Sequence, residues 1–323
     1  MKLTGICNPL VDILIRISEE EFKALDLEKA TMRLVEKEEQ ERLLSKISLS
    51  GATVCSGGSV ANSVVAYGQL GGDGAIIGTV GEDPFGSTFI SDIEKFNVKL
   101  GTKLLKGVPT GTCLSIITPD SERTLRTFLG ASQNLSPEFV HSEVIGSADW
   151  LFVEGFPLLN GESGRAAVRE AVDIALDART KIAVTCSEPI VVSLAREDLL
   201  YAMEKSDLLF ANEEEAKAIS NKSSIEDAFK ELSGNFKGVV VTAGARGAFV
   251  SYDSFTGLVD GWKASPVDLT GAGDMFAAGF LYGVTHGVSP EKSARNASFL
   301  AKTIIEQIGA RYHGNLKELW DRI

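Results

Sequence analysis

Two hydrophobic rhythms alternate along this chain. Short apolar runs bounded by glycine, proline or polar residues recur at 3–7, 75–80, 150–154, 182–185, 208–211 and 238–242, and such runs read as strands buried on both faces. Between them lie longer stretches, at 59–69, 86–96, 163–178, 213–220 and 225–232, whose apolar residues recur every three or four positions. That is the period of a helix burying one face. Strand and helix in alternation predict βαβ units, and so an α/β protein on a central, mostly parallel sheet flanked by helices.

Two segments break the rhythm. Residues 12–36 begin with alternating Ile13, Ile15 and Ile17, pass through a charged middle and end in a strand-like piece at 31–35. Residues 111–129 alternate on either side of Pro119-Asp120-Ser121-Glu122, a turn between two strands. Together they predict a small extra sheet, read here as a lid over an active site; the alternative is a pair of surface hairpins. No linker, repeat or low-complexity stretch divides the chain, so 1–323 reads as one domain with the small sheet inserted near 12–36 and 111–129.

Composition narrows the function classes. Hydrophobic residues are 44% and charged residues 24%, which suits a soluble protein with a large core. A net charge of −12 argues against a nucleic-acid partner, which would select a basic face. It leaves a nucleotide open, because backbone amides bind phosphate locally. The four cysteines (Cys7, Cys55, Cys113, Cys186) are far apart and read as free thiols in a reducing compartment. The three histidines are scattered, so no zinc site is expected. No apolar stretch reaches the ~20 residues of a membrane helix, and Met1-Lys2 leads directly into a strand without a signal peptide. The expectation is a cytoplasmic protein, monomer or homodimer, with no membrane partner.

The most informative chemistry lies in Val267-Asp268-Leu269-Thr270-Gly271-Ala272-Gly273-Asp274-Met275-Phe276. Small residues let the backbone turn tightly and approach a ligand. The apolar residues that follow, Met275, Phe276, Phe280, Leu281 and Val284, have helical spacing. Unpaired N–H groups at a helix start attract phosphate. Asp274 beside such an anion hole suits a base that takes a proton from a hydroxyl while amides hold the phosphoryl group it attacks. The plain alternative is a first-turn aspartate favoured by the helix dipole.

Other motifs carry the same pair of readings. Gly57-Gly58 opens a helix in which Asn62 lies one turn in, as polyol recognition would use. Asp12, in Asn8-Pro9-Leu10-Val11-Asp12 after the first strand, is read at the carboxyl end of a parallel strand, where open α/β sheets bind ligands. Asp83 is read as a helix cap. Asn212 and Glu215 follow the 208–211 strand, where a carboxylate could orient Mg²⁺ through water. Thr242, Gly244 and Gly247 could lie beneath nucleotide phosphates, with Arg246 adding charge, or simply form a hairpin turn. No G-x-G-x-x-G, P-loop or G-x-S-x-G motif is present.

Taken in order, Asn8 to Asp12, Gly57-Gly58 with Asn62, Gly81-Glu82-Asp83 with Gly86, Asn212 to Glu215, Thr242 to Gly247 and Asp268 to Asp274 resemble the ribokinase-like (PfkB) carbohydrate and nucleoside kinases over nearly the whole chain. The resemblance implies a central sheet flanked by helices, a small β-sheet lid, and use of ATP and Mg²⁺ to phosphorylate a hydroxyl. It implies Asp274 as catalytic base and Gly271, Ala272 and Gly273 as anion hole. Asp12, Gly57, Gly58 and Asn62 would be substrate contacts. Asn212, Thr242, Gly244 and Gly247 would lie along the nucleotide, and Glu215 would meet Mg²⁺ through water. In many members a monovalent cation such as K⁺ binds at positions matching Asp268 and Thr270, with Gly309 a further contributor. Asn8-Pro9-Leu10-Val11-Asp12 and Thr127-Phe128-Leu129-Gly130-Ala131 are similar to bacterial adenosine kinase-like members. Phe128 could then stack on a base, a place in the core being the alternative, and Glu154, at a strand end, would also face the site. The acceptor reading is an adenosine-like nucleoside. The alternatives are a free sugar (ribose, fructose or a keto-deoxy sugar acid, for which Arg16, Arg33, Arg123 and Arg126 offer cations) and a non-catalytic sensor on the same fold.

Overall fold

The computed structural model describes residues 1–120 and 122–323. Its strands are β1 (Lys2–Ile6), β2 (Leu10–Arg16), β3 (Met32–Leu34), β4 (Thr53–Gly57), β5 (Asp73–Ile77), β6 (Val98–Leu100), β7 (Thr112–Ile117), β8 (Arg123–Phe128), β9 (Trp150–Glu154), β10 (Lys181–Thr185), β11 (Leu208–Asn212), β12 (Val239–Thr242), β13 (Gly247–Tyr252) and β14 (Phe255–Asp260). Nine of them form one sheet in the order β14-β13-β12-β11-β10-β9-β1-β5-β6. Every neighbouring pair from β12 to β6 is parallel, and β13 and β14 add an antiparallel hairpin at one edge.

The period of two along each strand sorts side chains to two faces. Trp150, Phe152, Leu208 and Phe210 join one buried cluster with the helices Ser59–Gln69, Ala272–Thr285 and Pro290–Ile305. Leu151, Val153, Leu209 and Ala211 join the other with the helices Gly161–Ala178, Glu213–Ser220 and Ile225–Asn235. The sheet is thus covered on both faces, which is why its strands read as continuous apolar runs.

The remaining five strands form a second sheet, β3-β8-β7-β2-β4. It contains the strands expected from 12–36 and 111–129; of the turn between β7 and β8, Ser121 lies outside the described residues. Val11, Ile13 and Ile15 of β2 point into the first cluster, while Leu10, Asp12 and Leu14 are half-buried on the opposite face.

Two expectations change here. Gly57-Gly58 does open a helix, Ser59–Gln69, but Thr53–Gly57 before it, for which no strand was expected, is an edge strand antiparallel to β2. Asp12, expected at the end of a parallel strand of the main sheet, lies inside β2, opposite Cys55 of β4 and Cys113 of β7. Asp83 does cap a helix: its carboxylate accepts from the N–H groups of Gly86 and Thr110, each at 2.7 Å. No described helix is long and apolar enough to cross a membrane.

Candidate active site

A cleft of about 150 Å³ opens at the carboxyl edge of the large sheet. Ser59, Asn212, Glu215, Thr242, Gly273 and Asp274 are among the residues that line it. Parallel strands bring their carboxyl ends to one edge, and this is how Asn212 and Thr242, at the ends of β11 and β12, meet the start of the Ala272–Thr285 helix.

Asp274 sits in the first turn of that helix, after Gly271 in the left-handed region at φ +80°. Its Oδ1 accepts from the Ser59 hydroxyl at 2.7 Å and its Oδ2 from Asn62 Nδ2 at 3.0 Å. Burial raises its pKa, opposed by the hydrogen bonds from Asn62 and Ser59 and by the charge of Arg311. A proton acceptor of increased basicity is therefore held at the edge of the cleft, with each oxygen oriented by one donor. Gly273, the residue before it, is exposed, and a Cβ there would find nothing within 4 Å. That open cradle beside first-turn amides fits a phosphoryl group. The Ala272 N–H is partly engaged, donating to Leu269 O at 3.3 Å.

Asp12 lies close by. A Cβ on Gly57 would reach its carboxyl atoms at 2.4 Å, so only glycine leaves the carboxylate its place. Burial pushes the Asp12 pKa up to about 6, with Arg311 opposing, Asp274 adding and Arg123 opposing. Gly58, with Asn62 one turn on, begins the helix that carries Ser59. Phe128 ends β8, half-buried, and does not line the cleft.

Asn212 and Glu215 form a reciprocal helix cap. Asn212 Oδ1 accepts the Glu215 N–H at 2.9 Å, and the Glu215 carboxylate accepts from Asn212 N–H at 3.0 Å and Nδ2 at 2.7 Å. Burial pushes the Glu215 pKa up to about 7, with the Asn212 N–H opposing and Glu188 adding. Gly244 lies in the turn between β12 and β13 and Gly247 is the first residue of β13, both outside the cleft lining. Arg246, read as a phosphate partner, is instead paired with Glu226 at 2.9 Å and Glu213 at 3.4 Å.

Two further expectations need correction. Glu154, read as facing the site, is 1% exposed. Its carboxylate turns beneath the β1–β2 junction, accepting from Val60 N–H at 2.9 Å and Asn8 N–H at 3.3 Å. It ties the Asn8 turn to the first turn of the Ser59–Gln69 helix. Asp268, Thr270 and Gly309, the positions matched to a monovalent cation, are brought together, but around a guanidinium. Asp268 Oδ1 accepts from Arg123 Nη1 at 2.6 Å and Thr270 N–H at 3.0 Å, and Oδ2 accepts from Gly309 N–H at 2.6 Å. Arg123 Nη1 also donates to the Thr270 hydroxyl.

Ser59 and Arg311 carry weight that sequence reasoning did not give them. Ser59 was legible as the serine after Gly57-Gly58. Arg311 had no such signal. It is buried, donates to Ser56 O at 2.8 Å and Ser56 Oγ at 2.7 Å, and places its charge near Asp12 and Asp274.

The buried carboxylates predict a pH dependence. Burial pushes Glu154 up to about 8, opposed by the Val60 and Asn8 N–H groups and assisted by Asp274. Glu154, Glu215 and Asp12 all keep a proton to higher pH folded than unfolded, where carboxylates titrate near ~4. The folded state then binds more protons than the unfolded state between about pH 4 and 8, so this contribution to stability is present at the low end and lost as pH rises. Denaturant titrations should give a higher unfolding free energy near ~5.5 than near ~8.5, and Glu154→Gln should flatten that slope. An unchanged slope in the variant would mean that Glu154 is ionised where it is buried.

A family model described as "pfkB family carbohydrate kinase" matches residues 29–317. The solved adenosine kinase of Sinorhizobium meliloti is 32% identical, with a TM-score of 0.88 over 99% of this chain and 98% of that one. A probable sugar kinase from Rhizobium etli CFN 42 is 31% identical, with a TM-score of 0.89 over 99% of this chain and 98% of its own. A fructokinase from Vibrio alginolyticus is 28% identical over 239 residues, 70% of this chain and 76% of that protein.

Proposed function

The chain belongs to the pfkB family of carbohydrate kinases, ATP-dependent kinases of sugars and nucleosides, and we propose that its acceptor is a hydroxyl of an adenosine-like nucleoside. The observation that carries the chemistry is Asp274, oriented by Ser59 and Asn62 beside the open Gly273 cradle. The Ser59 hydroxyl already donates to Asp274 Oδ1, and an acceptor hydroxyl approaching the cleft would donate to the same carboxylate. Asp274 would take that proton as the hydroxyl attacks phosphorus, and its raised pKa suits it to the task. The amides of Gly271 and Gly273 would meet the charge that develops on the transferring group, with Ala272 contributing less because its N–H is shared.

The remaining roles follow from position. The small sheet would act as a lid that excludes water. Asp12, beside Gly57 and Gly58, would accept hydrogen bonds from acceptor hydroxyls, and Phe128 would stack on the base. Asn212, Thr242, Gly244 and Gly247 would lie along the nucleotide. A magnesium ion arriving with the triphosphate supplies charge neutralisation. Among the described residues no group of three or more His, Cys, Asp or Glu could hold a metal, so Glu215 would meet the ion through water while keeping its bonds to Asn212.

The adenosine reading is supported by likeness to the Sinorhizobium enzyme over nearly the full length of both chains. A free sugar or sugar acid is the second reading, supported by the fructokinase relative and by buried, unpartnered donors on Arg123 (Nη2) and Arg311 (Nε), which suit extra acceptor oxygens. ADP release from Mg·ATP against a panel of nucleosides, ribose, fructose and keto-deoxy sugar acids tests both. Turnover with adenosine and none with sugars is expected. Turnover with one sugar alone would overturn the acceptor while keeping the chemistry.

A further inference from the structure

The position that the family resemblance links to a monovalent cation does not fit one in this chain. Its only carboxylate, Asp268, is buried and already accepts from three donors, one of them the Arg123 guanidinium. The side chains of this ion pair are 18% and 4% exposed for Arg123 and Asp268. The hydroxyl oxygen of Thr270 is taken by the same guanidinium nitrogen. A second cation here would lose the carboxylate as a free ligand and face the fixed positive charge of the arginine.

What the ion pair joins gives it a role. Arg123 is the first residue of β8, in the small sheet. Asp268 and Thr270 immediately precede Gly271, the left-handed residue that starts the Asp274 helix. Through Oδ2, Asp268 also holds the N–H of Gly309. The next residue, Ala310, packs against Gly271 so closely that a Cβ on Gly271 would reach its Cα at 2.8 Å. One carboxylate thus ties together the two loops that shape the anion-binding turn, and its counter-charge comes from the small sheet.

We propose that Arg123 is a positioning residue that replaces the monovalent cation, so that the phosphate-binding turn is ordered by the small sheet itself and the enzyme needs no potassium. This rests on the kinase reading above and adds to it a statement about ion dependence and about which element orders the loop. Arg123 itself needs no contact with acceptor or nucleotide for this role. Loss of the guanidinium would leave Asp268 buried with only backbone donors, a carboxylate short of positive charge. A small monovalent cation could then enter the space vacated.

The test compares KCl with tetramethylammonium chloride at constant ionic strength, using the full chain. Two readouts are followed, the rate of ADP release with the best acceptor and the melting temperature without any acceptor. Wild type should give the same rate and the same Tm in both salts. Arg123→Ala should lose on the order of tenfold in kcat in tetramethylammonium, a fraction of the full cost of an uncompensated buried charge because only the ordering of the turn is felt in kcat, and regain part of it as potassium is titrated in. Its Tm should rise with potassium by mass action. Arg123→Lys, which keeps a cation, should remain independent of potassium.

Several-fold activation of wild type by potassium, or a potassium-specific rise in its Tm, would overturn the proposal. So would a folded Arg123→Ala that potassium neither stabilises nor reactivates. If Arg123→Ala does not fold, the wild-type and Arg123→Lys arms still decide. Absence of turnover on every acceptor would count against the kinase reading instead, and the acceptor-free Tm arm would still judge this one.

Discussion

Asp274→Asn is expected to lower kcat by about 10²–10⁴-fold, the usual contribution of a general base, while leaving Tm equal to or above that of wild type. The two halves of this expectation have separate physical causes. Asparagine keeps the shape of the side chain and can still accept the Ser59 hydroxyl through its amide oxygen. Its amide nitrogen would then face Asn62 Nδ2, now a donor to Asp274. Asn62 can answer by turning its own amide, because its Oδ1 is buried without a partner and would gain one. The raised pKa of Asp274 means that the ionised carboxylate is disfavoured where it sits, chiefly through burial. A neutral side chain removes that cost. Activity and stability should therefore part company, as they do where a site is strained for function. Steady-state kinetics with saturating Mg·ATP, beside a thermal melt, measures both. Near-wild-type turnover would remove Asp274 from the role of base. A large fall in Tm would instead mean that the carboxylate holds the Ser59–Gln69 helix in place, and the kinetic loss would be structural.

The arrangement around Asp274 also shows which features of the chain were legible before the fold was known. Buried parallel strands announce themselves, and β9 is found at 150–154, where its apolar run lies. β4 did not announce itself, because Thr53–Gly57 is an edge strand with an exposed start and no apolar alternation. Backbone pairing with β2, rather than side-chain burial, makes it a strand. Small-residue turns were legible for the same reason they work: Gly57 and Gly271 each mark a place where something approaches the backbone, the Asp12 carboxylate in one case and Ala310 in the other. Charges were the least legible. A glutamate at the end of β9 has the sequence context of a site residue, yet the strand register turns Glu154 under the turn that holds Asn8. Arg123, Arg246 and Arg311 all find their partners across long stretches of chain. Sequence offers no period from which such pairings could be read, since they depend on how the two sheets and their loops are packed together.

Gly273→Ala and Gly271→Ala should separate the anion hole from the turn that builds it, and the first is expected to have the larger effect on catalysis without loss of fold. Gly273 is the second residue of its helix, its φ is not positive, and a Cβ would meet nothing within 4 Å. Alanine is favoured over glycine in helices by roughly 0.5–1 kcal/mol, so this variant should melt at or above the wild-type temperature. The new methyl, however, would stand in the open cradle beside the amide that is proposed to meet the transferring phosphoryl group. Loss of one such donor typically costs about 10²–10³-fold in kcat, and that is the expected fall. Gly271 is different. Its φ of +80° already disfavours any side chain, and its Cβ would lie 2.7 Å from Ala310 Cβ and 2.8 Å from Ala310 Cα. Gly271→Ala should therefore destabilise, by at least the ~1–2 kcal/mol of a left-handed non-glycine residue, with activity falling along with the fold. A Gly273→Ala protein that is fully folded and fully active would show that the space above this residue holds no phosphoryl group. The glycine at 273 would then have no structural explanation, since neither its backbone nor its surroundings exclude a side chain, and the charge on the transferring group would need another donor.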